Sequence, residues 1–329
     1  ANPVRLEGRP NISYHEVEVS TYPLFAHPPY TLALASRMVE VARMQKLDVL
    51  HCHYAIPHSV SAYLARAMMA QERRLPFVTT LHGTDITLVG QDRSYFAITK
   101  FSIEESDAIT SISQNLKDQT VRVFGVEKHI DVVHNFICPN TYRPQPERRR
   151  TRPTLIHVSN FRPVKRVLDC VRIFATVRRH LDADLLMVGD GPDRGAAERL
   201  AFELGVAEHI EFLGKQNPIY DLIPTAHVLL LPSEMESFGL AALEAMSCGV
   251  VPVATRVGGV PELVRDGVDG YLCPVGDIEC LARRATALLS DPSLHGRMAA
   301  SGRHAAETRF HTNLVIPQYE SLYRRVASI

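Results

Sequence analysis

Short β-branched, apolar runs alternate with longer stretches of helical period in two successive series, and this alternation constrains the chain more than any other feature. The first series predicts strands at 47–53, 77–82, 108–113 and 130–135, with helices at 31–45, 58–71 and 95–106. The second predicts strands at 154–159, 184–189, 210–213, 228–231 and 251–254, a short one at 270–273, and helices between them. A strand, a helix and a further strand in sequence build a parallel sheet covered by helices. A chain of 329 residues holds two such cores more naturally than one. The expected fold class is therefore α/β, with two Rossmann-like doubly wound domains.

Between the two series lies PNTYRPQPERRRTRP, 139–153, where proline and arginine crowd together and apolar residues vanish. This is the expected linker, and its arginine run at 148–150 reads as a solvated hinge surface. The domains are expected at 1–145 and 146–310, with a closing helix in 311–329 whose apolar positions follow a helical period. A doubly wound domain normally opens with a strand and a glycine-rich turn. The first residues here carry neither, so the first domain is expected to lack that unit or to be built unusually.

Composition excludes several classes. Lys plus Arg equal Asp plus Glu at 36 each, so no uniform basic field for nucleic acid is expected. No run approaches the roughly 18 apolar residues of a membrane span. The opening ANPVRLEGRP lacks the layout of a signal peptide, and a cytoplasmic protein without stable membrane association is expected. The six cysteines form no C-x-x-C pair and are expected to be reduced, structural thiols rather than zinc ligands or disulfides. The spacing of His51, His53 and His58 could suggest a metal, but two of them fall on one face of a strand entering the core, so no metal site is expected.

The segment SEMESFGLAALEAMSCG, 233–249, follows a predicted strand and leads through Ser237 and Gly239 into a strong helix former, with Gly249 as its stop. Such a loop brings free N–H groups and a helix N-terminus to the carboxyl end of a parallel strand, a position suited to phosphate. Glu236 and Glu244 flank the helix start. Glu244, about a turn and a half in, can accept hydrogen bonds from paired hydroxyls such as those of a ribose, and Glu236 can face a sugar hydroxyl. Each could equally be an ordinary helix charge. A second cluster, SNFRPVKRVLD at 159–169, brings Arg162, Lys165 and Arg166 to a strand-to-helix turn. Cations at a helix start are locally unfavourable, which points to a diphosphate partner. Gly189, Gly191 and Gly214 end strands where a ligand could approach the backbone, although ordinary tight turns look the same.

Together, ESFGLAALEAMSCG and SNFRPVKR resemble the family-four retaining glycosyltransferases of the GT-B fold. HYAIPH, LHGTDIT and HNF narrow the resemblance to members that use UDP-N-acetylglucosamine and L-malate in the first step of bacillithiol biosynthesis, and the likeness runs along essentially the whole chain. It implies a closing helix packed back toward the first domain. It also implies that Glu244 holds the uridine ribose, while Glu236 with Ser237, Phe238, Gly239 and Leu240 holds the sugar and diphosphate. Arg162 and Lys165 would grip the phosphates, with Gly214 and Lys215 beside the uracil. His82 would approach the anomeric region, and Tyr54, Thr80, Thr84 and Lys100 would surround the acceptor. No metal or other cofactor is implied, nor any partner beyond the two substrates, though a homo-oligomer is compatible with the family.

This chain departs from the pattern in two places. Asn160 stands where many members carry arginine, so Arg162 is expected to supply the second cation. The family's glycine-rich loop near the N-terminus has no counterpart, so part of the acceptor site is expected to be missing. Three alternatives stay open: a transferase with another acceptor such as an inositol phosphate or a lipid, a nucleotide-sugar epimerase, and a non-enzymatic nucleotide-sugar-binding fragment. An oxidoreductase is disfavoured, since no G-x-G-x-x-G follows any predicted strand.

Overall fold

The structure, a computed structural model, describes residues 9–20 and 27–328. It divides into two units. The described residues of the first lie within 1–111, 118–131 and 320–329, and those of the second are Ile112–Lys117 and Val132–Tyr319.

The first unit is built on strands β1 (Leu50–His53), β2 (Phe77–Leu81), β3 (Ala108–Ser111) and β4 (Ile130–Val132), in the order β1-β2-β3-β4. β2 runs parallel to both β1 and β3. Val39 and Ala42 of the helix Tyr30–Gln45 and Ala62, Ala65 and Met69 of the helix Val60–Met69 pack on Leu50, Cys52 and Phe77. All five residues of β2 are buried, the signature of a strand covered on both faces. The closing helix, Thr312–Ala327, contributes to this unit from Glu320 onward. There the Tyr323 hydroxyl meets His51 Nδ1 at 2.6 Å and Arg325 pairs with Asp131 at 2.6 Å.

The second unit holds β5 (Thr154–Val158), β6 (Asp184–Val188), β7 (Ile210–Gly214), β8 (Val228–Leu231), β9 (Val251–Thr255) and β10 (Tyr271–Cys273). Their order is β10-β9-β8-β5-β6-β7, all parallel. The chain winds outward from β5 on one side and from β8 on the other, so the topological switch point falls between these two strands. Their ladder is also the shortest in the sheet, with only the pairs Leu155↔Val228 and Ile156↔Leu229. The helix Val167–Arg178 lays Val167, Cys170, Val171, Ile173, Phe174 and Val177 into the core against Leu185, Met187 and Leu230. Phe174 is completely enclosed, and replacing it by alanine would cost about 3–5 kcal/mol.

One sequence expectation is refined here and one corrected. The arginine run lies at the surface, as expected, but its side chains are paired: Arg148 with Asp221 at 2.9 Å and Arg150 with Glu211 at 2.5 Å. Arg152 pairs with Asp184 at 3.0 Å, and Arg149 donates to the carbonyl of Gly249 at 3.0 Å. Periodicity cannot reveal such pairings, since the acidic partners lie 32 to 73 positions away. The cysteines are not all reduced: Cys273 and Cys280 form a disulfide, with Cα atoms 6.1 Å apart. The end of β10 turns directly into the helix Ile278–Ser290, which folds position 280 back over position 273.

Candidate active site

The carboxyl ends of β5 and β8 deliver the two motif segments side by side. After β5 the chain turns through Pro163–Lys165, where proline presets the turn, and Arg166 takes a left-handed conformation (φ 50°) before the helix begins. Lys165 Nζ reaches Glu236 Oε1 at 2.5 Å, and Ser233 Oγ donates to the same oxygen at 3.0 Å. The backbone N–H of Glu234 donates to the Val164 carbonyl at 2.9 Å. The lysine and glutamate side chains retain only 21% and 12% of their exposure, so removing either partner would strand a partly desolvated charge. Arg162 is exposed beside them, and among the described residues no carboxylate pairs with it.

A pair of glycines shapes the loop after β8. A Cβ on Gly258 (φ 53°) would lie 1.7 Å from the Glu236 carbonyl oxygen, and one on Gly259 would lie 2.3 Å from that of Ser237. Gly259 N–H donates to the Glu236 carbonyl at 3.1 Å. With these carbonyls turned back, Phe238 buries its ring beside Phe310, and Gly239 (φ 92°) starts the helix Leu240–Ser247. The N–H groups of Leu240 and Ala241, which precede the first bonds back to the Gly239 carbonyl from Ala242 and Leu243, stand at the carboxyl end of the sheet. Leu240 is exposed there. Gly249 ends the helix at φ 72°, as the sequence predicts.

Glu244 is half-buried on this helix. Burial raises its carboxyl to about 7, opposed by hydrogen bonding with the Tyr142 hydroxyl, whose own ionisation is pushed up first by burial and then by the Glu244 charge. Near neutral pH the group is therefore close to its midpoint.

Gly214 and the exposed Lys215 end β7, the edge strand two places from β5. At Gly189 and Gly191 the missing side chains make room for the protein's own backbone. A Cβ would meet the Ser159 carbonyl at 1.7 Å and the Phe161 carbonyl at 2.6 Å. They hold the β5 loop in place. His157 and Ser159 were not singled out by the sequence, yet both face the switch point. His157 Nδ1 bonds the Leu230 carbonyl at 2.9 Å and Nε2 meets Ser159 Oγ at 2.7 Å. Burial lowers the His157 pKa to about 4. Two polar residues at i and i+2 near the end of a buried strand were the available signal.

In the first unit the strand ends gather histidines. His53 Nδ1 meets His82 Nε2 at 2.7 Å, and the rings of Tyr54 and His82 lie 4.9 Å apart. Burial, then the neighbouring His53, lowers the His82 pKa to about 4, and His51 is lowered to about 4 by burial first. Tyr54 holds a left-handed backbone (φ 77°), rare for a bulky residue. Tyr54 and Thr84 line a cleft of about 510 Å³ with Ile56, Pro57, Val60, Asp85 and Tyr95; no lysine or arginine is among the described residues that line it. Thr80 is fully buried instead, its hydroxyl engaged with His51 at 2.7 Å and Thr110 at 2.6 Å. Lys100 lies on the helix Phe96–Glu105, turned to Glu104 and the Gly125 carbonyl, both at 3.5 Å, so the structure does not bring it to Tyr54 and Thr84. Among the described residues no cluster of three or more histidine, cysteine or acidic side chains could hold a metal, and no helix is long and apolar enough to cross a membrane.

Known proteins share both halves. Residues 140–305 match the family described as glycosyl transferases group 1, and residues 2–141 match glycosyltransferase family 4. The N-acetyl-alpha-D-glucosaminyl L-malate synthase of Bacillus anthracis is 45% identical over 95% of this chain and 84% of its own. The sucrose-phosphate synthase of Thermosynechococcus elongatus superposes with a TM-score of 0.78 at 21% identity, over 98% of this chain and 87% of its own. Anabaena HepE, solved in complex with UDP, does so with a TM-score of 0.76 at 21% identity, over 91% and 82%. These two share the two-domain GT-B fold. A chain matched across both halves and at 45% identity along nearly its whole length belongs to the family-four glycosyltransferases.

Proposed function

We propose that this glycosyltransferase moves N-acetylglucosamine from UDP-N-acetylglucosamine to the hydroxyl of L-malate, with retention of the α configuration, as the first step of bacillithiol biosynthesis in the cytoplasm. The 45% identity to an N-acetyl-alpha-D-glucosaminyl L-malate synthase carries the choice of substrates. The second unit takes the donor. Lys165 and Arg162 face the diphosphate with the N–H groups at Ser237, Phe238, Gly239 and Leu240, Glu236 takes the sugar and Glu244 the ribose. Gly214 and Lys215 lie toward the base. The first unit takes the acceptor at Tyr54, Thr84 and His82.

The malate oxygen bonds to the anomeric carbon from the face that UDP leaves, the carbon–phosphate oxygen bond breaks, and the hydroxyl proton passes to a phosphate oxygen. Cations and helix N–H groups supply what this chemistry needs, namely stabilisation of charge growing on the leaving diphosphate. Two facing carboxylates of the glycosidase kind are not required. A second possibility, the same donor with a less charged acceptor, draws on the apolar cleft beside Tyr54 and Thr84.

Incubation with UDP-N-acetylglucosamine and a panel of hydroxy acids and neutral alcohols, followed by product masses, separates the two. Malate should give the dominant product, unaffected by a chelator. Preferential glycosylation of a neutral alcohol would move the assignment to the second, and activity restored only by manganese would overturn the metal-independent step.

A further inference from the structure

The shortened ladder between β5 and β8 has a side chain in place of its next backbone bond. Pairing stops at Ile156↔Leu229, and the following carbonyl, Leu230, is taken by the imidazole of His157. A backbone carbonyl only accepts, so Nδ1 must carry the hydrogen of that 2.9 Å bond. The ring is completely buried and neutral, which leaves Nε2 with a lone pair and no proton. Its partner at 2.7 Å, Ser159 Oγ, must therefore be the donor. The serine's one hydrogen is committed inward, and its hydroxyl offers only lone pairs to the crevice.

Ser159 is half-buried where β5 gives way to the Lys165 turn, and that turn is tied to the Glu236 loop. An ionised diphosphate presents acceptors alone and has nothing to give such a hydroxyl. A sugar presents O–H and N–H donors. Resting on the donor assignment above, we propose that Ser159, oriented by His157, is a specificity-determining residue that accepts a hydrogen bond from a hydroxyl or amide N–H of the transferred sugar. Among the described residues no second group donates to Ser159 Oγ, which leaves that place to the ligand.

Calorimetry on the full chain with UDP and with UDP-N-acetylglucosamine tests this. Ser159→Ala should weaken UDP-N-acetylglucosamine about threefold to tenfold, the worth of one uncharged hydrogen bond, and leave UDP within about twofold. Ser159→Cys, closer in volume, should repeat that pattern, and Ser159→Thr should recover most of the affinity, with melting temperatures confirming that each variant folds. Equal losses for both ligands, or no loss for either, would overturn the role of Ser159. Failure of the wild-type chain to bind either ligand would instead overturn the donor assignment and the inference with it.

Discussion

The second unit builds its strand ends from charge and fixed backbone, whereas the first builds them from neutral rings and an apolar cleft. At the switch point Lys165, Glu236 and Ser233 form a bonded knot, and Gly258 and Gly259 set the direction of the loop carbonyls behind it. In the first unit His51, His53 and His82 all have lowered pKa values, and Tyr54 and Thr84 open onto a cleft with no cation among its described lining residues. A diphosphate carries the same charge whatever sugar it bears, so its site can be rigid and ionic. The cleft of the other unit is lined by apolar and uncharged polar groups and by the buried Asp85.

The contrast breaks most readily at Lys165. If Lys165 faces the leaving diphosphate as proposed, Lys165→Met should lower kcat by about 10² to 10³, because such a cation acts mainly in the transition state. A loss below tenfold in steady-state assays would remove charge from the account of that unit.

Glu244 sharpens it through pH. Its folded pKa of about 7 lies above the ordinary 4.5, so ionising it costs the folded state stability. The cost is absent below pH 4.5 and complete above pH 7. Glu244→Gln should therefore stabilise the ligand-free protein at pH 8 by on the order of 1–3 kcal/mol and have no effect near pH 4, read from urea midpoints. The same variant should lose affinity for UDP at pH 8, since the carboxylate is the better ribose acceptor. Unchanged UDP affinity at pH 8 would detach Glu244 from the nucleotide.

The histidines predict the opposite slope. His51 and His82 are near 4 when folded and 6.5 when unfolded, so their contribution is full above pH 6.5 and is lost as pH falls toward 4. His82→Gln should remove on the order of 1–2 kcal/mol of that acid sensitivity. An identical pH profile in wild type and variant would show that folding does not lower the pKa of this ring.

The smallest effect is expected at Lys100. Its contacts are with Glu104 and the Gly125 carbonyl, so Lys100→Met should change stability by no more than about 1 kcal/mol and leave the KM for malate within about threefold. A selective loss of malate binding would return Lys100 to the acceptor side.

The parallel sheets and the two loops after β5 and β8 were legible because buried strands and glycine-led helix starts leave local marks. What stayed hidden depends on distant partners. Arg148 and Arg150 look like unpaired surface charges until Asp221 and Glu211 are folded beside them. Gly189 and Gly191 look open to a ligand until the Ser159 and Phe161 carbonyls occupy the space. His157 reads as an ordinary core histidine, and only the break in the ladder at Ile156 shows what its ring does. The resemblance puts Thr80 near the acceptor, but β2 is covered on both faces and the hydroxyl of Thr80 is taken up by His51 and Thr110.

The short pairing of β5 with β8 also bears on how the protein meets its first ligand. Because the two strands part within the resting fold, with the imidazole of His157 satisfying the carbonyl that the ladder leaves unpaired, no hydrogen bonds of the sheet have to break when the crevice fills. Association within this unit should then be fast, single-phased and linear in ligand concentration, without the plateau that marks a slow opening step.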